Sequence, residues 1–205
     1  DPTKTQWATF YCLNVYDGLP GVAPGEVKSL RILEEIPKPV SSHTQGYGLQ
    51  NPVISYSGHF ALKRIWGTVP VEADGSAYFQ APANRAIYFS ALDADQMEVQ
   101  RMRTFTTAAP GESYGCIGCH ERKASAPPPD LPLALRRAPS ALAPSFGGPD
   151  HGSDFAHDVQ PVLDKHCAGC HTGPAPKGGL DLSGDYTNLF NVAHESLMKR
   201  NLVNY

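Results

Sequence analysis

The chain has 205 residues, which is enough for one large domain or two small ones. A formal net charge of -3 and scattered basic residues exclude the electrostatic footprint of a nucleic-acid-binding protein. No apolar run approaches the roughly 20 residues that cross a bilayer, so no transmembrane segment is predicted. Residues 1–4 do not form a signal peptide, and a mature chain or a fragment is expected.

Residues 1–124 predict a β-rich lobe. The dipeptide Asp74-Gly75 between two apolar runs predicts a hairpin. Strands at intervals of about 8–12 residues, with turn residues between them, are typical of a small β-sandwich. The predicted strands cover residues 27–33, 69–72, 76–79, 86–92 and 97–103.

The next two segments differ in composition. Residues 125–153 are rich in proline and glycine and predict an extended linker; a surface loop packed between two lobes is the alternative. Residues 154–205 predict a helical lobe. Its first helix is expected to be capped by Asp158 with Pro161 in the first turn. Its second helix is predicted from apolar residues at helical spacing: Leu189, Val192, Ala193 and Leu197.

Four of the five cysteines form two Cys-x-x-Cys-His motifs, a spacing typical of heme c attachment. The two thiols bond covalently to the heme, and the adjacent imidazole binds its iron. A disulfide, a zinc site and a redox dithiol are the alternatives, but the two pairs are too far apart for a zinc ribbon. The motifs are Cys116-Ile117-Gly118-Cys119-His120 and Cys167-Ala168-Gly169-Cys170-His171.

The sequence therefore predicts two hemes c, with His120 and His171 as iron ligands. Because this attachment takes place outside the cytoplasm, a periplasmic or extracellular location is expected. The predicted fold class is α+β: a small β-sandwich-like lobe with one heme c, a proline-rich linker, and a small helical cytochrome c-like lobe with the second heme c.

Each iron has a second axial position, and six further histidines are available to fill it. For the first heme we expect His59, which lies in an apolar, strand-like segment. His43 is the alternative. Met102 is a third option, but its alternation with Val99 favours a place in the core.

For the second heme we expect His194, on the second predicted helix. Met198, one turn later on the same face, and His157 are the alternatives. His166 directly precedes Cys167 and is too close to turn back onto the same iron.

Two remaining features have a structural and a functional interpretation. Cys12 lies among apolar residues, which favours a buried thiol over a metal ligand. Four basic residues could pair with heme propionates or form a solvated surface: Arg101, Arg103, Arg122 and Lys123.

Two parts of the chain resemble known families. Residues 67–79, 99–103, 110–112 and 116–121 resemble the middle domain of the hydrazine synthase alpha subunit family. Residues 158–163, 166–171 and 177–182 resemble the cytochrome c domain of planctomycete-type proteins, which follows that middle domain. The resemblance implies a tyrosine ligand of the catalytic heme four residues after the motif histidine, where this chain has Ala124.

We expect an extracytoplasmic diheme electron carrier that exchanges electrons with redox protein partners or along a homo-oligomer or filament of its own copies. Ala124 favours electron transfer over catalysis. The alternative is a heme-containing catalytic module related to the hydrazine synthase alpha subunit, and a heme-based sensor is a third interpretation.

Overall fold

The computed structural model describes residues 5–36, 63–120, 126, 130–144, 154–188 and 190–203. The chain divides into two compact units. The described residues up to 144 belong to the first unit, and those from 154 onward belong to the second. The structure is mostly β with few helices.

The described residues of the first unit form seven strands in two sheets. A three-stranded sheet has the order β4-β1-β7, in which β1 runs antiparallel to β4 and parallel to β7. A four-stranded antiparallel sheet has the order β3-β2-β5-β6. The strands are β1 Trp7–Cys12, β2 Ser29–Glu35, β3 Lys63–Pro70, β4 Ala77–Pro82, β5 Ile87–Leu92, β6 Glu98–Arg101 and β7 Ser113–Cys116.

The two sheets pack through aromatic rings. Phe89 of the four-stranded sheet lies edge-on to Phe10 and Phe79 of the three-stranded sheet, with ring centroids 5.6 and 5.4 Å apart. Phe10 and Phe79 are fully buried, so they contribute the largest apolar surfaces of this core. The sandwich-like arrangement of the first unit follows from these contacts.

The predicted hairpin at Asp74-Gly75 is wrong, although the turn itself exists. The backbone N–H of Glu72 donates to the carbonyl of Ser76, yet the strands on either side, β3 and β4, belong to different sheets. Asp74 accepts hydrogen bonds from Ser76 and from the Leu133 backbone N–H. The turn therefore transfers the chain between the sheets.

Part of the proline-rich stretch packs on the first unit. The Ala134 N–H donates to the Ser76 hydroxyl, and Ala143 exchanges two backbone hydrogen bonds of 2.9 Å with Thr68. Arg137 lies 2.8 Å from the Glu72 carboxylate. For residues 130–144, packing against the protein therefore replaces the predicted extended linker.

In the part of the second unit that the structure describes there are two α-helices: α1 is Gln160–His166 and α2 is Val192–Lys199. A turn of π-helix, Phe155–Val159, precedes α1, and its N-terminal cap is Asp154, which accepts from the His157 N–H. The cap thus lies four residues before the predicted Asp158. Pro161 falls in the first turn of α1 as predicted, and Leu189 lies outside the described residues.

None of the described helices is both long and apolar enough to cross a membrane.

Candidate functional site

The first Cys-x-x-Cys-His motif begins at the end of strand β7. Cys116 is the register partner of Cys12 on the parallel strand β1. The residues that follow β1 also form hydrogen bonds with the motif. The Leu13 N–H donates to the Cys116 carbonyl at 2.9 Å. The Cys119 N–H donates to the Asp17 carbonyl, also at 2.9 Å. The segment that follows β1 therefore fixes the backbone of the motif.

Two glycines permit this close approach. A Cβ atom on Gly118 would lie 2.3 Å from the Asp17 carbonyl oxygen. A Cβ atom on Gly18 would lie 2.4 Å from the His120 carbonyl oxygen, and the positive φ of Gly18, 82°, also favours glycine. Packing therefore restricts position 118, the second residue between the two cysteines, to glycine.

An apolar cavity opens beside this motif. It encloses about 660 Å³ when the solvent at its mouth is included. Its walls come from both sheets, and the motif itself contributes Cys116, Cys119 and His120. The other lining residues are Phe10, Tyr11, Cys12, Val15, Leu30, Phe79, Phe89, Ala91, Gln100, Arg101, Met102 and Gly118.

The environment of Cys119 disfavours thiolate chemistry at this thiol. Burial raises the pKa of the Cys119 thiol to about 11, whereas redox dithiols and zinc ligands need a lowered pKa. Among the described residues, no three histidine, cysteine or acidic side chains are grouped closely enough to hold a metal ion. A neutral sulfur in an apolar cavity fits a thioether bond to a heme.

The structure places only some of the other predicted residues near this cavity. Arg101 lines it, whereas Arg103 is exposed and does not. Cys12 is half-buried, packs against the core and also lines the cavity. Met102 lines the cavity as well, and does not belong to the buried core cluster.

Several predicted residues of the first site lie outside the described residues, and these predictions stay predictions. They are His43, His59, Arg122, Lys123 and Ala124.

The second motif follows α1, whose last residue is His166. The Nδ1 atom of His171 lies 3.2 Å from the Leu180 carbonyl. Because a carbonyl oxygen only accepts, Nδ1 must be the protonated nitrogen, and Nε2 keeps its lone pair. Such a hydrogen bond fixes the ring orientation of metal-binding histidines. The geometry of His171 therefore fits an iron ligand.

His194 lies in the first turn of α2 and has an unusual environment. Its ring centroid is 4.5 Å from that of Phe190 and 5.1 Å from that of Phe155. Burial lowers the pKa of His194, so the neutral imidazole is favoured. Its Nδ1 atom is buried without a hydrogen-bond partner among the described residues. A neutral, half-buried imidazole fits the predicted ligand role.

The structure also describes the three other residues considered for the second heme. His157 is exposed, and its Nδ1 atom is held 2.9 Å from Asp154. Met198 lies on the same helix as His194, one turn later, and is half-buried. His166 is exposed next to Cys167.

A buried polar network, which the sequence did not reveal, joins the parts of the second unit. Gln160 of α1 donates to the Leu182 carbonyl at 3.1 Å and accepts from Asn191 at 3.1 Å. Asn191 is also the N-terminal cap of α2, because its side chain accepts from the His194 N–H. These contacts fix the loop after His171 and the helix that bears His194 to α1.

The first motif and most of the residues that line its cavity lie within the range matched by a protein-family model. The family model of the hydrazine synthase alpha subunit middle domain matches residues 25–121. This range includes most residues that line the cavity, and it confirms the resemblance to the hydrazine synthase alpha subunit middle domain. The resemblance of the later segments to a cytochrome c domain stays a prediction.

A curated relative and a solved structure agree with this match. The hydrazine synthase subunit alpha of Kuenenia stuttgartiensis is 27% identical over 241 residues, covering 87% of this chain and 30% of the relative. The solved Kuenenia stuttgartiensis hydrazine synthase has a similar fold, with a TM-score of 0.69 and 21% identity over 94% of this chain and 33% of that one. The chain therefore spans about a third of the length of the proteins it matches.

Proposed function

We propose that this chain is a heme-containing module related to the hydrazine synthase alpha subunit. In this proposal the first motif holds a heme c at the cavity of the β-rich unit, as its redox centre. The second motif holds another heme c that serves electron transfer. A stand-alone diheme carrier, the function first expected from the motifs, becomes the second candidate, because homology to the hydrazine synthase alpha subunit favours a related module.

One observation supports the proposal most strongly. A Cys-x-x-Cys-His motif lies beside an apolar cavity, within the range that the family model covers. A heme needs apolar walls for its macrocycle, two thiols for attachment and an imidazole for its iron. The cavity is suited to provide the apolar walls. Cys116 and Cys119 can provide the two thiols, and His120 can provide the imidazole.

Each unit contributes its own residues to this function. A bound heme c supplies one-electron chemistry at its iron. At the first motif, Cys116 and Cys119 hold the macrocycle, and His120 is the proposed ligand. Arg101 is placed on the cavity wall, where a guanidinium can pair with a carboxylate such as a heme propionate.

At the second motif, Cys167 and Cys170 hold the macrocycle and His171 binds the iron through Nε2, with Nδ1 held by the Leu180 carbonyl. His194 is the proposed second ligand, because its imidazole is neutral and half-buried, and a buried contact between Asn191 and Gln160 fixes its helix to α1. Two imidazoles give a closed iron, which is suited to electron transfer.

The test is a heme count on the chain expressed with a c-type heme attachment system. Pyridine hemochrome analysis should give two covalent hemes per chain. Replacing Cys116 and Cys119 by Ala should remove one heme, and replacing Cys167 and Cys170 by Ala should remove the other. Mass spectrometry of the two motif peptides assigns each loss. Peptides without bound heme in the unmodified chain would refute the proposal.

The second candidate is electron exchange with redox protein partners, or along an oligomer or filament of this chain, in the periplasm or outside the cell. Ala124 favours it, because the resembling catalytic family is expected to have tyrosine at that position. Carbon monoxide distinguishes the candidates: binding by the unmodified reduced protein supports a catalytic first heme, and complete resistance supports an electron carrier.

A further inference from the structure

The wall of the first cavity contains a methionine whose place the strand pairing determines. Met102 directly follows β6, and its backbone N–H donates to the Phe89 carbonyl of β5 at 2.9 Å. Both residues line the cavity. Met102 therefore belongs to the wall formed by the four-stranded sheet, whereas Cys116 belongs to the three-stranded sheet.

Few of the described lining residues can bind iron. Most of them are hydrocarbon or aromatic side chains, and Gln100 and Arg101 are poor ligands for a heme iron. Two of the cysteines are used for attachment, and His120 is the motif ligand. Cys12 is the register neighbour of Cys116 on the same sheet, so it lies beside the attachment edge. Among these described residues, Met102 remains as a side chain that can bind heme iron from the wall formed by the four-stranded sheet.

The environment of Met102 differs from that of a surface methionine. Met102 is half-buried beside the motif, whereas Met97, at the turn before β6, is 65% exposed. A thioether is a soft, neutral ligand that tolerates an apolar cavity without the desolvation cost of a charged group. Paired with histidine, it is an established axial ligand of heme iron that raises the reduction potential.

We infer that the Met102 thioether is the second axial ligand of the iron at the first motif, opposite His120. The inference rests on the proposed function, because it requires a heme at Cys116 and Cys119. It assigns the position for which His59 was expected from sequence. A small molecule would then reach this iron only by displacing the methionine.

The experiment uses the full, heme-loaded chain and compares Met102→Leu with Met97→Leu. Leucine preserves the side-chain volume, so both variants should fold. The unmodified ferric protein should show the far-red charge-transfer band of methionine–heme ligation. Met102→Leu should abolish this band, lower one of the two reduction potentials, and speed carbon monoxide binding to one heme per chain, because no methionine then has to be displaced. Met97→Leu should change none of these readouts.

A second variant separates ligation from packing. Met102→His should restore a six-coordinate, low-spin iron without the far-red band. Loss of the band in Met198→Leu instead of Met102→Leu would overturn the inference, as would its absence from the unmodified protein. Opening of the first iron by His59→Ala would also overturn it. Absence of heme from the Cys116–Cys119 peptide, seen by mass spectrometry, would instead refute the proposed function, and the inference with it.

Discussion

The packing of the first motif predicts that Gly118→Ala destabilises the β-rich unit, although alanine is normally a harmless replacement. The new Cβ would lie 2.3 Å from the Asp17 carbonyl oxygen, whereas ordinary contact begins at 3.4 Å, so the two segments must separate by about 1 Å. Overpacking of this kind costs about 1–3 kcal/mol. The hydrogen bond from Cys119 to Asp17 would also be lost, at about 1 kcal/mol. The expected total is about 2–4 kcal/mol.

The second motif provides the matched control. Gly169 holds the equivalent position in the second motif, but a Cβ atom there would meet nothing within 4 Å. Gly169→Ala should therefore be neutral or slightly stabilising, by less than about 1 kcal/mol.

Urea unfolding followed by tryptophan fluorescence suits this comparison, because both tryptophans, Trp7 and Trp66, lie in the β-rich unit. Gly118→Ala should lower the midpoint by roughly 1–2 M, given a typical dependence on urea of about 1–3 kcal/mol per M. Equal midpoints for Gly118→Ala, Gly169→Ala and the unmodified chain would refute the packing argument.

Three further predictions follow from single contacts. Asn191→Ala should destabilise the second unit by about 2–3 kcal/mol, because it removes a helix cap and a buried hydrogen bond. Asn191→Asp should keep the cap. Urea unfolding followed by circular dichroism measures both variants. Burial and the hydrogen bond to Glu35 raise the pKa of Tyr88 to about 12, so its contribution to stability is present below pH 10 and is lost as the pH rises toward 12. The unmodified protein should therefore lose stability relative to Tyr88→Phe over that range, and parallel urea midpoints would contradict this. Trypsin should cut slowly after Arg137 in the unmodified chain, because this residue is held in an ion pair with Glu72. The Glu72→Ala variant loses this half-exposed ion pair and should be cut there about two- to fivefold faster. Equal cleavage rates in the two proteins, measured by mass spectrometry, would contradict the packing of this segment.

Local sequence patterns predicted the strands in which apolar and polar residues alternate, and the helices in which apolar residues recur at a regular spacing. Strand β2 illustrates this, because Leu30 and Ile32 are buried on one face as the alternation requires. Helix α2 and the position of His194 within it were also predictable from the sequence. The same reasoning missed β1 and β7. The segment Trp7–Cys12 is almost continuously apolar and has no period of two, and Ser113–Cys116 is too short to give a pattern.

Contacts between distant parts of the chain were not predictable from local patterns. The dipeptide Asp74-Gly75 correctly indicates a turn, but turn chemistry does not encode which sheet the next strand joins. The contact of Asp17 with the first motif likewise depends on two glycines that are far apart in sequence. The sequence placed Met102 in the core by alternation, whereas the structure places it on the cavity wall, because the pairing of β5 with β6 determines which surface the following residue joins.

The parallel pairing of β1 with β7 has a consequence for biosynthesis. The first and last of the described strands of the β-rich unit must meet before the cavity is complete, and contacts of such high sequence separation form slowly. Once they meet, the Cys119 thiol is buried and its raised pKa makes it a poor nucleophile. If a heme is bonded at this motif, the attachment must occur while the last strand is still open. Slow closure would then give the attachment machinery time to act, and a chain that folded too fast would exclude its own cofactor.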